Sequence, residues 1–266
     1  MSNKSSWILG GTALAAAVLA AACGGGGDAT QAPAPQASAP AQAEAVVSVD
    51  PATAASLSGK IRYMGPAPKP ARIRMDAEPT CEHEHKEPVY SEEIELGADG
   101  ALRNAFVFVK AGLPAGKFAV PSQPVVLDQK GCLYHPHVVG VMTGQEIQVK
   151  NSDSTTHNIH PLPTANREWN KSQAPGAEPL VESFAREEIA IPVKCNVHPW
   201  MKSYIAVLKH PYFAVTGQDG SFKIGNLPPG QYTIEVWHEK LGTMDKQVTV
   251  GASESGTVDF EYAAGA

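Results

Sequence analysis

Three side chains that bind soft transition metals lie within one short stretch of the chain. Cys195, His198 and Met201 offer a thiolate, an imidazole and a thioether at positions i, i+3 and i+6. The stretch follows an apolar, strand-like run, so all three side chains are expected in one loop at the end of a strand. Their types indicate a metal site of soft character that lacks one further strong ligand.

A histidine about forty residues upstream supplies that ligand. His157 comes shortly after the amphipathic strand Glu146–Lys150, in a polar turn rich in Asn, Ser, Asp and Thr. Two imidazoles, one thiolate and one weak axial thioether form the ligand set of blue-copper electron-transfer sites. The two motifs together are therefore more specific than either motif alone.

These paired motifs resemble those of the cupredoxins, the blue copper proteins that include plastocyanin and amicyanin. The resemblance covers residues 121–209, and the short spacing of the second motif is most similar to that of amicyanin. It implies one type 1 copper ion with His157 as the first ligand and Cys195 as the thiolate. It also implies His198 as the second imidazole and Met201 as the axial thioether.

The same resemblance assigns roles to the neighbours of the ligands. Asn158 matches the Asn that ties the two ligand loops together in that family. Pro199 and Trp200 resemble the apolar rim around an exposed histidine ligand, so electrons are expected to enter and leave at His198. One residue departs from the pattern, because Val193 stands where these proteins usually have an aromatic side chain.

The N-terminal residues predict export and attachment to a membrane. Lys4 and the apolar run Trp7–Ala22 form a signal peptide over residues 1–22, too short and too rich in Ala for a spanning helix. The small residues before Cys23 resemble a bacterial lipoprotein signal, which implies lipidation of that cysteine; plain cleavage within the Ala run is the alternative. Residues 23–54 are rich in Ala, Pro and Gly and predict a disordered tether. The expected location is the periplasm or the outer face of a membrane.

Charge and motif content exclude several classes of function. The formal net charge is −6 for the whole chain, and it becomes −7 when Lys4 is removed with the signal. An acidic chain without a basic groove predicts no binding to nucleic acid. The sequence shows no acid/base pair, nucleophile triad or phosphate loop, so we predict that the protein is not an enzyme.

The four cysteines can then be divided by role. With Cys23 assigned to lipid and Cys195 to copper, Cys81 and Cys132 remain. In an oxidising export compartment these two predict a disulfide. The alternative is a second metal site of zinc or copper type, formed by the same two cysteines and the histidines that follow them: His83, His85, His135 and His137.

The alternation of apolar and polar residues predicts an all-β fold. No segment of helical length keeps a 3.6-residue period, and residues 161–179 show no stable period at all. The strongest strand patterns are Ser56–Tyr63, Leu102–Val109, Val125–Leu127, His137–Val141, Glu146–Lys150, Glu187–Lys194 and Tyr204–Leu208. A Greek-key β-sandwich of cupredoxin type is therefore expected in the middle of the chain.

A second small β-sandwich is expected from the end of the chain. The series Thr216–Ile224 and Asn226–Val236 resembles the carboxypeptidase regulatory-like modules, which have a transthyretin-like fold. The earlier strands of such a module resemble Gly59–Ile61 and Asn104–Val109. We therefore predict a discontinuous sandwich over 55–118 and 210–262, with a copper domain inserted at 119–209. A single enlarged cupredoxin with a short β appendage is the competing division.

Three functions follow from these patterns. The first is a copper-binding carrier that cycles between Cu(I) and Cu(II) and exchanges electrons with redox partner proteins at the cell envelope. The second is copper storage or delivery with the same ligands. The third is a carbohydrate- or protein-binding sandwich with a structural metal, for which Tyr212, Phe213 and Trp237 are the available aromatics. His160 is expected beside the site, and surface or structural roles are expected for His210 and His238.

Overall fold

The fold consists almost entirely of β-strands, as the sequence predicts. The structure is a computed structural model that describes residues 45–263. Within this range the helical elements are α1 Pro79–His83 and a 3-10 turn at Ala98–Gly100. In the same range no helix is long and apolar enough to cross a membrane. The strands are β1 Ala55–Tyr63, β2 Phe106–Ala111, β3 Val125–Lys130, β4 Leu133–His135, β5 Val138–Met142, β6 Ile147–Asn151, β7 His157–Pro161, β8 Lys171–Gln173, β9 Leu180–Glu182, β10 Glu188–Lys194, β11 Lys202–Leu208, β12 Phe213–Val215, β13 Ser221–Leu227, β14 Gly230–His238, β15 Gly242–Val250, β16 Ser255–Thr257 and β17 Phe260–Tyr262.

The strands form two pairs of sheets. One pair comprises β13-β1-β16, with β17 also paired to β1, and β12-β2-β14-β15. The other pair comprises β5-β11-β10-β7-β8 and β4-β3-β6-β9. We call the first pair the flanking sandwich, because its strands precede and follow the second pair in sequence, and the second pair the central sandwich. The predicted all-β fold with β-sandwich architecture is confirmed.

Each sandwich has its own core, and a third core joins them. Leu57, Ile61 and Val236 belong to the buried cluster of the flanking sandwich, and Leu127 and Ile205 to that of the central sandwich. The third core lies between the β12-β2-β14-β15 sheet and the β5-β11-β10-β7-β8 sheet, which we call the two inner sheets. It contains Phe106, Phe108, Val138, Ala206 and Leu208. The sheets therefore stack in four layers, and β2 and β11 are covered on both faces.

The third core depends on a close approach at Gly140 in β5. A Cβ atom placed there would lie 2.4 Å from the ring of Phe213 and 2.7 Å from that of Phe106. Such distances are far shorter than any van der Waals contact, so a side chain at this position would push the two inner sheets apart. The aromatic rings that fill the space pack on each other, with centroids of Phe106 and Phe213 5.6 Å apart.

The predicted tether is wrong for its last ten residues. Val46 forms a β-bridge with Lys117, and the amide of Val47 donates to the carbonyl of Lys117. Asp50 then caps a turn by accepting from the amide of Ala52. Composition alone suggested a disordered segment here, but these backbone hydrogen bonds hold residues 45–54 on the flanking sandwich. The predicted signal peptide, Cys23 and the rest of the tether lie outside the described residues.

One segment within the range predicted for the flanking sandwich packs against the central one. The stretch from Arg72 to Tyr90, which we call the cap, is closed by a β-bridge between these two residues. It contains α1, and its buried Met75 and Cys81 belong to the core cluster of the central sandwich. Residues 161–179, predicted as irregular, contribute the short edge strand β8. The division into two domains stays a prediction.

Candidate metal centre

Strand pairing brings the two ligand motifs together. His157 is the first residue of β7, and Cys195 follows directly after the last residue of β10. These strands are antiparallel neighbours, with Lys194 opposite His160. The turn before β7 and the loop between β10 and β11 therefore meet at the same end of the central sandwich. Two segments about forty residues apart in sequence can form one site only because of this register.

Three of the four predicted ligands converge in the buried interior. The Nδ1 atoms of His157 and His198 lie 2.8 Å apart, and the Cys195 sulfur lies 3.8 Å from Nδ1 of His198. The ligand atoms of these three residues all lie within 4.8 Å of one another. Both imidazoles are 0% exposed and Cys195 is 2% exposed. The structure thus places two imidazole nitrogens and one sulfur around a common point.

Met201 closes the ligand loop. Its amide donates to the carbonyl of His198 at 3.0 Å, and its carbonyl accepts from the amide of Cys195 at 3.4 Å. The side chain is fully buried in the same core cluster as Cys195. These bonds fold residues 195–201 into a tight loop that carries three of the four predicted ligands.

Asn158 holds the two ligand segments together, as the resemblance implied. Its Oδ1 accepts from the amides of Asn196 at 2.7 Å and Val197 at 3.3 Å, and it lies 3.3 Å from the Cys195 sulfur. Tyr134 adds a second link on the far side. Its hydroxyl donates to the carbonyl of Asn158 at 2.6 Å and also contacts that of Lys194 at 3.1 Å. The spacing between the two motifs is therefore fixed from both sides.

Asp153 contacts the first predicted ligand, and the sequence did not predict this contact. Its Oδ2 pairs with Nε2 of His157 at 2.8 Å, which leaves Nδ1 of that ring facing His198. The same carboxylate accepts from the amides of Gly131 at 2.6 Å and Cys132 at 2.8 Å. A carboxylate that fixes the orientation of a histidine ligand is a common feature of metal sites. The sequence offered one signal of this contact, an acidic residue four positions before His157.

The charges at the site favour ionisation of the thiol. Burial opposes ionisation of Cys195, but the hydrogen bond with His157 and nearby backbone amides outweigh it and lower the pKa of the thiol. Burial also opposes protonation of His157, yet Asp153 and Cys195 raise its pKa to about 8. For His198, burial and the nearby charge of His157 lower the pKa. A buried thiolate and a neutral His198 are suitable metal ligands.

The donor set fits copper. Thiolate and thioether sulfur select soft ions, and two imidazoles beside one thiolate suit copper in particular. Among the described residues, Cys195 is the one cysteine outside a disulfide. Nε2 of His157 faces away from Cys195 and His198 and pairs with the carboxylate of Asp153. Histidines that bind a metal usually have such a partner on the nitrogen that does not bind the ion. The residues present are therefore appropriate for the ion that the sequence resemblance implied.

The exposed exit predicted at His198 is wrong. The resemblance implied a histidine edge in contact with solvent, but the ring of His198 is fully buried and its Nε2 has no hydrogen-bond partner. The cap explains the difference, because an imidazole nitrogen of His198 lies within 4.8 Å of the sulfurs of Cys81 and Cys132. The Trp200 ring covers His198 as well, with centroids 5.2 Å apart.

The predicted disulfide between Cys81 and Cys132 is present. Because the two sulfurs are bonded to each other, they are not free to form the alternative second metal site. Of the histidines considered for that site, His85 hydrogen-bonds the carbonyl of Gly131 at 2.7 Å, and His137 pairs with Glu239. Each of these two rings thus has another partner.

Of the remaining predicted residues, His160, Pro199 and Trp200 lie near the candidate metal centre, and His210 and His238 lie elsewhere. His160 lies beside the ligand loop, where Nδ1 contacts Asn196 and Nε2 contacts Glu168. Pro199 is exposed, and the indole of Trp200 donates to the carbonyl of Cys132 at 3.1 Å. His210 and His238 are both buried, which favours a structural role over a surface role.

The similarity of this chain to known proteins is a similarity of fold alone. No protein-family model matches the chain, and no curated protein matches it. Its structural neighbours include cupredoxins. A Cu-containing nitrite reductase from Thermus scotoductus SA-01 aligns with 36% of this chain at 19% identity and a TM-score of 0.30, and the chain spans 25% of that protein.

Two smaller neighbours are covered almost completely. A purple cupredoxin from Nitrosopumilus maritimus aligns over 31% of this chain and 98% of its own length, at 19% identity and a TM-score of 0.27. An amicyanin mutant in its reduced state aligns over 38% and 97%, at 18% identity and a TM-score of 0.29. Because these scores are low, the proposals below rest on this chain's own side chains.

Proposed function

We propose that the protein binds one copper ion through His157, Cys195, His198 and Met201 and carries single electrons between partner proteins. The observation that supports this most strongly is the convergence of two imidazole Nδ1 atoms and one thiolate sulfur in a buried space. Copper supplies one-electron chemistry when it is bound to such ligands. The protein supplies the fixed arrangement in which that chemistry occurs.

The surrounding side chains keep this arrangement rigid. Asp153 orients His157, and Asn158 fixes the loop that carries Cys195 through its bonds to Asn196 and Val197. Burial excludes water from the ligands and limits movement of their side chains. A site that changes little between two oxidation states has a small reorganisation cost, which suits rapid electron exchange.

Electrons are expected to pass through Trp200 rather than through an exposed edge of His198. The Trp200 ring packs on that of His198, and it is only partly buried. Its loop neighbours Asn196, Val197 and Pro199 are exposed, so a partner protein can reach the ligand loop beside Trp200. The rim predicted from the sequence thus keeps its role, while the buried imidazole does not itself form the contact surface.

The buried ligands favour an electron carrier over a delivery protein. Delivery requires that copper leave readily, whereas all four proposed ligands are at most 2% exposed.

The aromatic side chains that the sugar-binding alternative requires are packed inside the protein. Tyr212 is buried, Phe213 packs on Phe106, and Trp237 packs on Tyr204. Rings that fill a core are not available to stack on a ligand.

Location and anchoring are part of the same proposal. The signal-like run Trp7–Ala22 and the lipoprotein-like Cys23 support an exported protein tethered to a membrane by lipid. Such a tether would keep the copper centre close to membrane-bound redox partners. We also propose that the protein has no enzymatic activity of its own.

Visible absorption and EPR spectra of the copper-loaded protein test this function. An intense thiolate-to-copper band with narrow copper hyperfine splitting is expected, and Cys195→Ser should abolish it. His157→Ala should also remove the band. The matched variant His160→Ala, three residues along the same strand, should keep it. A colourless protein that gives up its copper readily to a chelator would instead support storage or delivery.

A further inference from the structure

The metal centre has no open route to solvent. His157, His198 and Met201 are 0% exposed, and Cys195 is 2% exposed. The ligands extend from a rigid sandwich and from a loop fixed by Asn158, so neither side can move far without breaking hydrogen bonds. An ion that enters must therefore pass through some part of the structure that opens.

The cap is the part best suited to open. It is a short segment that covers His198, and only Met75 and Cys81 among its residues are buried. A segment with so few buried side chains opens locally at low cost when nothing else restrains it. The other walls of the site are paired strands, which open only with the fold itself, and the ligand loop, which Asn158 holds in place.

Three side-chain contacts join the cap to the central sandwich. The hydroxyl of Ser154 donates to Oε1 of Glu84 at 3.4 Å, and the other two contacts end at the same short turn. The disulfide joins Cys81 to Cys132, and the His85 ring hydrogen-bonds the carbonyl of Gly131 at 2.7 Å. The amides of Gly131 and Cys132 both donate to Asp153, which orients His157. The disulfide is covalent and the histidine contact is not, so the disulfide decides whether the cap can lift.

The positions of the cysteine sulfurs allow more than one disulfide to form in the reduced protein. Cys195 and the two cap-linked cysteines all lie around the imidazole of His198. In an oxidising compartment three nearby thiols can form more than one disulfide, and a disulfide that used Cys195 would destroy the metal site. A metal ion bound to the Cys195 thiolate removes that sulfur from exchange.

We propose that metal insertion precedes formation of the Cys81–Cys132 disulfide, and that this disulfide then locks the ion inside. The inference rests on the proposed metal-binding function. The closing step is thiol–disulfide exchange with an external protein disulfide. The thiols of Cys81 and Cys132 lose two protons and two electrons as their S–S bond forms, and the external disulfide is reduced to two thiols.

The first test compares the rates at which copper enters and leaves. Disulfide-bonded apoprotein and the Cys81→Ser/Cys132→Ser variant are mixed with Cu(II), and growth of the thiolate-to-copper band is followed. The variant is expected to take up copper at least about tenfold faster and to lose it to excess EDTA at least about tenfold faster. Equal rates for the two proteins would overturn the proposal.

A matched pair of single variants assigns the effect to the cap. His85→Ala removes the hydrogen bond between the cap and Gly131 and should speed uptake by a small factor. His135→Ala removes a similar contact, in which the ring meets the carbonyl of Lys130 at 3.2 Å outside the cap, and should leave the rate unchanged. Equal acceleration by both variants would contradict a role for the cap. Absence of both the band and bound copper from every protein would instead disprove the metal site itself.

The second test uses only the natural sequence and so does not depend on folding of a variant. Reduced full-length protein is oxidised by a protein disulfide with and without prior addition of Zn²⁺, a redox-inert ion for the same ligands. Peptide mapping then identifies the disulfides. Native pairing is expected to dominate with zinc, and disulfides that contain Cys195 are expected without it. Native pairing in both samples would overturn the proposed order.

Discussion

The two sandwiches each bury a histidine, and the two rings have opposite electrostatic surroundings. In the central sandwich, Asp153 and Cys195 overcome the effect of burial and raise the pKa of His157 to about 8. In the flanking sandwich, burial lowers the pKa of His238 to about 4. The Nε2 atom of His238 has no hydrogen-bond partner, and its Nδ1 accepts from the amide of Lys240.

This difference distinguishes the candidate metal site around His157 from the hydrophobic core around His238. Around His157 the polar atoms have partners that orient the ring toward a shared point, an arrangement that suits the proposed metal site. Around His238 the neighbours are mainly packing contacts, such as the ring of Tyr262 with centroids 6.3 Å apart. The same architecture can thus hold a histidine as a ligand or as a space-filling side chain.

The largest expected effect is a loss of stability without loss of the metal centre. Phe260 is fully buried in the core of the flanking sandwich. Phe260→Ala should lower the free energy of unfolding by about 3–5 kcal/mol, because it leaves a cavity. Denaturant unfolding measures the loss. The copper spectrum of the folded variant should not change, and a shifted band would show that the two sandwiches are not separable in this way.

Acid should destabilise the protein through His238. Its folded pKa is about 4 against an ordinary value of 6.5, so the folded state binds the proton less well than the unfolded state. The stabilising contribution is present above pH 6.5 and is lost as the pH falls toward 4, by about 3 kcal/mol in total. His238→Asn should flatten this part of the stability curve.

Replacing Asp153 should weaken metal binding more than it weakens the fold. Asp153→Asn removes the negative charge that orients His157, and we expect a loss of copper affinity of about 10–100-fold. Competition with a copper chelator measures it. Asp128→Asn is the control, because that carboxylate also accepts hydrogen bonds, from Ser152, but has no contact with a ligand. An equal loss in both variants would point to a general effect of charge.

The smallest effect compares two buried tyrosines. The Tyr134 hydroxyl bonds to Asn158 and Lys194 between the ligand segments, and the Tyr262 hydroxyl bonds to Gly242 in the flanking sandwich. Replacing either tyrosine by Phe should cost about 1 kcal/mol of stability. Only Tyr134→Phe should broaden the copper EPR signal, since it loosens the ligand segments. Identical spectra for the two variants would contradict this link.

The side chains that cluster at the candidate metal centre could be predicted from sequence because each lies in a local motif. Cys195, His198 and Met201 share one loop, and His157 follows a strand of clear alternation. The disulfide followed from the number of cysteines in a chain predicted to be exported. These inferences required no knowledge of where the distant segments pack.

The cap and Asp153 could not be predicted in the same way. The cap approaches His198 from a segment more than a hundred residues earlier, and its residues between Arg72 and Tyr90 show no strong strand or helix pattern. Asp153 lies in a polar turn where an acid is ordinary, and its role depends on the amides of Gly131 and Cys132. Both features are products of tertiary packing.

The pairing of β1 has a consequence for the order in which the protein folds. Ser56 in β1 pairs with Ser255, 199 residues later, whereas His157 and His198 are 41 residues apart. Contacts between distant residues carry a higher loop-closure cost and form more slowly. During synthesis from the N-terminus, all segments of the central sandwich emerge before β13, β16 and β17. The proposed metal ligands can therefore come together before the partner strands of β1 have been made.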